Sequence, residues 1–208
     1  LLWGLPLLAL SGCFELQVEA LSAKVLWDPS EKTVTLDLIA QNVGPGYFKC
    51  EDTAEACAER IKTRVKAGDV MGLDIEGCTT VTETLEQRGE MLDVRRVCTM
   101  PQDDPNLLEL GVFVETEGRP GKEKAHLVLL EPDEGTWTDL PKSSARRVLN
   151  VLDDQDEVQS QTTWSLKPSV RSAVFLVPLE ANVVPLFRAF PSLSSALKAQ
   201  GLLQAPRG

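Results

Sequence analysis

Apolar and polar residues alternate in several segments of the chain, and a period of two is typical of β-strands that bury one face. Alternation over 14–20, a turn with the sequence DPSE and renewed alternation over 34–38 predict an antiparallel pair of strands. The same pattern over 108–114 and 125–131 predicts a second pair around a polar turn. A further apolar run over 172–177 predicts a short buried strand.

Apolar residues recur with a helical period in three other segments. Asp52 is placed as the N-cap of a capping box (DTAE), so we predict a helix that begins there and ends near Lys66. An apolar stripe over 141–152 predicts a second helix. A third, short helix is expected between Ser192, as its cap, and Gly201, which ends it.

A hairpin is predicted in the middle of the chain, between a strand over 79–86 and a strand over 90–98. A three-residue loop centred on Arg88 and ending in glycine suits such a turn. With Arg88 at the centre, Cys78 and Cys98 lie directly opposite each other. A two-residue turn would shift this register by one residue.

These elements define an expected fold class. The chain has 208 residues, of which 43% are hydrophobic and 25% charged, an ordinary composition for one globular domain. Hairpins outnumber crossover units, which predicts an α+β fold with a largely antiparallel sheet and two or three helices packed on one face. We expect a single domain over 13–203 and a frayed tail over 204–208.

Charge limits the function classes that this domain can belong to. The 31 Asp and Glu outnumber the 21 Lys and Arg, which gives a net charge of -10. An acidic surface repels phosphate backbones, so the composition argues against nucleic-acid binding. It also disfavours attraction to anionic lipid headgroups, so a membrane-bound form needs another means of attachment.

The first ten residues, LLWGLPLLAL, are apolar and carry no charge. They are too few to span a bilayer, which takes about 20 residues, but they match the roughly 7 to 15 residues of a signal-peptide core. The tetrad Leu10-Ser11-Gly12-Cys13 follows directly. Together they resemble the signal peptide and lipobox of bacterial lipoproteins. Because a basic segment usually precedes the apolar core, we expect a few residues before Leu1.

The resemblance implies that Cys13 carries a diacylglycerol thioether and that a signal peptidase cuts between Gly12 and Cys13. Residues 1–12 are then the signal peptide. Phe14, rather than Asp, follows the cysteine, and in this family that favours the outer membrane over the inner one. The implied location is the cell envelope, with the domain facing the periplasm and bound to the membrane through the lipid on Cys13.

Four cysteines remain once Cys13 is set aside, and they permit three disulfide pairings. Cys57 lies on the inward face of the first predicted helix with Cys50 just before it, which favours a Cys50–Cys57 bond. The predicted hairpin favours a Cys78–Cys98 bond. Disulfides persist in the periplasm, in agreement with export. A zinc site is the alternative, but these spacings contain no close C-x-x-C pair.

Few residues are suited to catalysis. His126 is the only histidine and continues a strand alternation with Val128 and Leu130, so we interpret it as a hydrogen-bonded or half-exposed strand residue. The acidic run over 153–157 lacks the ligand spacing of an EF-hand and is interpreted as a solvated loop. No hydrolase or phosphate-loop motif occurs. We therefore expect no enzyme, cofactor or metal, with a hydrolase that uses carboxylates alone as the enzymatic alternative.

An apolar segment near the C-terminus contains Val183, Leu186, Phe187 and Phe190. Core packing is its first interpretation, and a patch that docks an envelope protein or shelters a lipid is the second. The predicted function is non-catalytic binding or scaffolding of an envelope partner. The alternative is a carrier or sensor of a small apolar or lipidic ligand, which requires a pocket lined by residues such as Phe187 and Phe190.

Overall fold

The fold was analysed in a computed structural model of the 208-residue chain. The described residues are 16–45, 50, 53–70, 72–131, 134–140, 145–152, 158–179 and 182–204, with the backbone alone described for 145–152 and 158–160. The lipobox tetrad at 10–13 and the acidic run at 153–157 lie outside them.

Strands dominate the part of the chain that the structure describes. They are β1 (Leu16–Gln17), β2 (Ala20–Asp28), β3 (Thr33–Pro45), β4 (Thr79–Arg88), β5 (Met91–Pro101), β6 (Val112–Glu117), β7 (Lys124–Leu130), β8 (Thr136–Trp137), β9 (Ala145–Leu152), β10 (Val158–Ser165), β11 (Ser172–Pro178) and β12 (Leu203–Gln204). The helices are α1 (Ala54–Lys66), a 3-10 helix (Pro105–Leu110), α2 (Leu186–Ala189) and α3 (Leu193–Ala199).

The strands form two sheets. The larger has the order β12-β4-β5-β3-β2-β11-β8, with β1 also paired to β3, and the smaller has the order β6-β7-β10-β9. Neighbouring strands are antiparallel throughout the described pairs except for β12 and β4, which are parallel. The predicted α+β class with mostly antiparallel strands is therefore confirmed.

The core lies on one face of the larger sheet, as the alternation along β3 dictates. Leu36 and Leu38 are buried, whereas Asp37 between them points to the opposite face and is partly exposed. Val112 and Leu127 of the smaller sheet belong to the same buried cluster as Leu36, so the two sheets share one core.

The first predicted strand pair forms, but its first strand lies later in the chain than expected. The main partner of β3 is β2, from Ala20 to Asp28. The described part of the predicted strand over 14–20 contributes β1, which pairs with the far end of β3. The strand expected over 172–177 is confirmed as β11, which pairs with β2.

Two of the three predicted helices form. The predicted inward face of α1 is buried, and it consists of Ala54, Cys57, Ala58, Ile61 and Val65. The cap is Thr53, whose hydroxyl accepts the Ala56 N–H at 3.1 Å, rather than the predicted Asp52. In α3 the predicted apolar residues are buried, although Ser192 makes no capping hydrogen bond through its side chain. α1 and α2 both contact α3, and α2 also contacts β5.

The helix predicted over 141–152 is wrong. Its described part is the strand β9, which pairs with β10 along its whole length from Ala145 to Leu152. The strand predicted over 108–114 is wrong in its first half, because the 3-10 helix ends at Leu110 and only β6 follows. Asp104 caps that helix by accepting the Asn106 N–H at 3.0 Å.

The hairpin of β4 and β5 ends in a two-residue turn, since Arg88 pairs directly with Met91. Gly89 has a φ of 59°, and glycine is favoured at the first central position of a type II′ turn because it has no Cβ to clash there. The predicted three-residue loop centred on Arg88 is therefore wrong, and Thr80 rather than Cys78 lies directly opposite Cys98.

A β-bulge in β4 compensates for this shift. The register changes between Thr80 and Thr82, which makes Val81 the extra residue of the bulge. Because side chains alternate between faces, the extra residue brings Cys78 to the face of the sheet on which Cys98 lies. Without the bulge, the two-residue turn would leave the two cysteines on opposite faces.

A second irregularity in the larger sheet holds a buried carboxylate. The register of β3 against β5 shifts between Ala40 and Val43, and Asn42 there has a φ of 53°. The Asn42 N–H donates to Asp93 Oδ1 at 2.8 Å, and Arg88 lies 3.6 Å from the other carboxylate oxygen. Burial nevertheless raises the pKa of Asp93 above its ordinary value, because desolvation outweighs both favourable partners.

Asp93→Asn is expected to change how stability depends on pH. A raised pKa in the folded state means that Asp93 favours folding when protonated and loses that contribution as pH rises through the folded pKa. The free energy of unfolding of the variant minus that of the wild type should therefore increase between about pH 3 and about pH 7. Urea unfolding across this range measures it. The exposed Asp103→Asn serves as the control, and a difference that stays constant or falls would contradict the expectation.

Candidate functional site

The clearest cluster of chemically capable side chains in the described chain lies on the β6–β7 hairpin. The register places Glu115 directly opposite His126, and Glu117 opposite Lys124. Since side chains two residues apart share a face, Glu115, Glu117 and His126 all project from the same side of the smaller sheet. His126 Nε2 lies 3.2 Å from Glu115 Oε2 and 4.0 Å from Glu117 Oε1.

Burial differs sharply among the three side chains. That of His126 is only 7% exposed, whereas those of Glu115 and Glu117 are 34% and 63% exposed. Val128, next on the same face of β7, is fully buried. The imidazole is thus buried, whereas the two carboxylates that face it are partly exposed.

The contact between His126 and Glu115 has a defined polarity. An ionised carboxylate only accepts hydrogen bonds, so the Nε2–H of His126 donates to Glu115. The interpretation of His126 as a hydrogen-bonded strand residue is confirmed, and its side chain is buried rather than half-exposed. Sequence reasoning missed Glu115 and Glu117. The polar turn predicted between these two strands begins at Glu117 and ends at Lys124. Pairing these two residues and continuing inward by two residues places Glu115 opposite His126.

Both disulfides have the pairing that the sequence favours. Cys50 and Cys57 are joined with their Cα atoms 5.0 Å apart, and Cys78 and Cys98 with theirs 5.5 Å apart. Cys57 and Cys98 are buried. The first bond fastens the segment before α1 to the first turn of that helix, and the second fastens the start of β4 to β5.

The apolar segment near the C-terminus is mostly part of the core. Leu186 and Phe187 are buried at the start of α2, and Val183 and Phe190 are half-buried. The Phe187 N–H donates to the backbone oxygen of Glu90, which fixes α2 against the β4–β5 turn. This supports the interpretation as core packing. Leu186 and Phe187 are not accessible to a partner in this arrangement.

A separate cavity of about 100 Å³ lies where α1 meets β4 and β12. Lys62, Lys66 and Glu83 contribute to its lining, and neither Phe187 nor Phe190 does. Ligand pockets usually enclose roughly 300 to 1,000 Å³ and are largely apolar. The cavity is therefore too small and too charged to hold a lipid.

The comparisons with known proteins give no relative. No protein-family model matches the chain, and no curated protein or solved structure is significantly similar to it. Among the helices of the described residues, none is both long and apolar enough to cross a membrane.

Proposed function

We propose that this protein is a lipid-anchored component of a bacterial cell envelope, whose domain acts outside the cytoplasm in non-catalytic binding or scaffolding. The observation that carries the proposal is the way in which its five cysteines are divided between disulfides and the lipobox-like tetrad. Four of the five are joined in two disulfides, and the fifth, Cys13, is the one in the lipobox-like tetrad. Disulfides favour an oxidising compartment, and the tetrad supplies a route to it.

Lipid attachment would also explain how a strongly acidic protein binds to an anionic membrane. A net charge of -10 gives no electrostatic attraction to an anionic membrane surface. Acyl chains add about 0.8 kcal/mol for each buried methylene, and one chain gives only marginal binding, so stable anchoring takes two or more. A thioether-linked diacylglycerol on Cys13 supplies two. Phe14 after the cysteine favours the outer membrane as the destination.

The fold leaves a surface for a partner in this proposal. We propose that α1, α2 and α3 cover one face of the larger sheet, which the contacts of α1 and α2 with α3 and of α2 with β5 support. The opposite face carries Lys24 and Leu26 of β2, both exposed. In this proposal, a partner binds on that opposite face.

Cys13→Ser tests the anchor. Expressed from its natural gene in a bacterium, the wild-type protein is expected to incorporate labelled palmitate and to sediment almost entirely with membranes. The Ser variant lacks the thiol that accepts the lipid, so it should incorporate no label and keep the apolar leader. Intact-mass analysis and membrane fractionation measure both effects.

Ser11→Ala is the matched control, because it keeps a small residue in the tetrad and should be lipidated normally. A wild-type protein whose Cys13 is unmodified and still preceded by the apolar leader would overturn the proposal.

A further inference from the structure

We propose that Glu115, Glu117 and His126 form a binding site for a divalent first-row transition metal ion, with Zn²⁺ as the ion that the donor set fits best. This site is independent of the lipid anchor. The three side chains offer one imidazole nitrogen and two carboxylate oxygens, and these atoms all lie within 4.8 Å of one another.

The distances between the donor atoms are close to those of a metal complex. Ligands bound to tetrahedral Zn²⁺ at about 2.0 to 2.2 Å lie about 3.3 to 3.5 Å from each other. His126 Nε2 and Glu115 Oε2 are 3.2 Å apart, and His126 Nε2 and Glu117 Oε1 are 4.0 Å apart. The donor atoms, all within 4.8 Å of one another, are therefore brought to three corners of a tetrahedron by a movement of the exposed end of Glu117 of about 1 Å.

The hairpin preorganises the site. His126 and Glu115 are directly paired residues of β6 and β7, so the sheet fixes the distance between their backbones. The imidazole is enclosed, which limits its rotamers, whereas Glu117 is 63% exposed and can close over an arriving ion. Solvent access past the carboxylates leaves a fourth position for water, the arrangement of an open zinc site.

The donor types select the class of ion. Imidazole suits Zn²⁺, Cu²⁺, Ni²⁺ and Fe²⁺, whereas Mg²⁺ and Ca²⁺ prefer shells made of oxygen alone. The acidic balance of the whole chain further raises the local concentration of cations.

Binding requires one proton to move. In the metal-free hairpin, Nε2 of His126 carries a proton that it donates in a hydrogen bond to Glu115. A metal ion on Nε2 replaces it, and the neutral ring then carries its proton on Nδ1.

The single histidine makes the site directly observable. In the whole chain, purified in detergent with both disulfides formed and labelled with ¹³C-histidine, every imidazole resonance belongs to His126. Titration with Zn²⁺ is expected to shift these resonances with a stoichiometry of one ion per chain. Glu117→Gln should weaken binding by about 10-fold or more, since it removes a charged ligand at an exposed position without disturbing the core.

Two controls separate a site from general attraction of cations to an acidic protein. Glu109→Gln makes the same change of charge at an exposed residue of the 3-10 helix and should leave the Zn²⁺ affinity unchanged. Ca²⁺ at the same concentrations should not shift the imidazole resonances. The proposal is overturned if Zn²⁺ leaves those resonances in place, if Ca²⁺ moves them equally, or if Glu117→Gln binds Zn²⁺ as tightly as the wild type.

Discussion

Leu36→Ala is expected to lower the free energy of unfolding by about 2 to 5 kcal/mol, the usual cost of truncating a fully buried leucine. Leu36 lies on β3, which is flanked on both sides by long strands, and it is completely buried. Its register partners are Val25 and Cys98, which are also buried, so the space left by the lost methyl groups cannot be filled from solvent. Urea unfolding followed by tryptophan fluorescence measures the loss.

Leu26→Ala is the matched control for that prediction. Leu26 is the neighbour of Val25 on β2, so it points to the opposite face, and it is 38% exposed. Its truncation should cost less than about 1 kcal/mol. A strand that slipped by one residue would exchange the two faces. Equal losses at Leu36 and Leu26 would therefore contradict the register of β2 and β3.

The elements that could be predicted from sequence are those whose signal is local. α1 has a capping residue and five apolar residues on one face, and all five are buried. β3, β7 and β11 each carry an apolar pattern that identifies a strand even when its partner strand is unknown. In α1 and β3 the buried face follows directly from the period of the pattern, whereas in β7 four consecutive residues, from His126 to Leu129, are buried.

The segment over 145–152 could not be assigned locally. Its sequence, ARRVLNVL, contains an apolar stripe at helical spacing and also apolar residues that suit a strand, so the period does not decide. What decides is β10, which pairs with the whole of β9. The sequence of β10, VQSQTTWS, is mostly polar, and the partner was therefore missed.

Other errors could have been avoided, because the sequence contains a signal for the correct structure. Asp104 followed by Pro105 is a typical helix start, with a capping side chain and a proline in the first turn. Weighed against the alternation of Leu108 and Leu110, it would have shortened the predicted strand to β6. For the candidate site, the strand around His126 was predicted and its register was implied by the turn. The close approach of the Glu115, Glu117 and His126 side chains could be seen only in the structure.

Removing the Cys78–Cys98 disulfide is expected to lower the free energy of unfolding by about 3 kcal/mol. The bond closes a loop with a sequence separation of 20 residues, and in the chain-entropy description a loop of this length gives roughly this effect. Cys78→Ala with Cys98→Ala, compared with the wild type by urea unfolding under oxidising conditions, measures it. The shorter Cys50–Cys57 loop, with a separation of 7, should contribute about 1 kcal/mol less.

A reductant supplies the control and connects this prediction to the compartment. It should destabilise the wild type by at least the effect of the Cys78–Cys98 bond, and it should leave a variant with alanine at all four positions unchanged. A domain that depends on these bonds gains its full stability only where thiols oxidise, which is the environment that the proposed export provides. A wild type that is equally stable with and without reductant would contradict both the size of the effect and this reason for export.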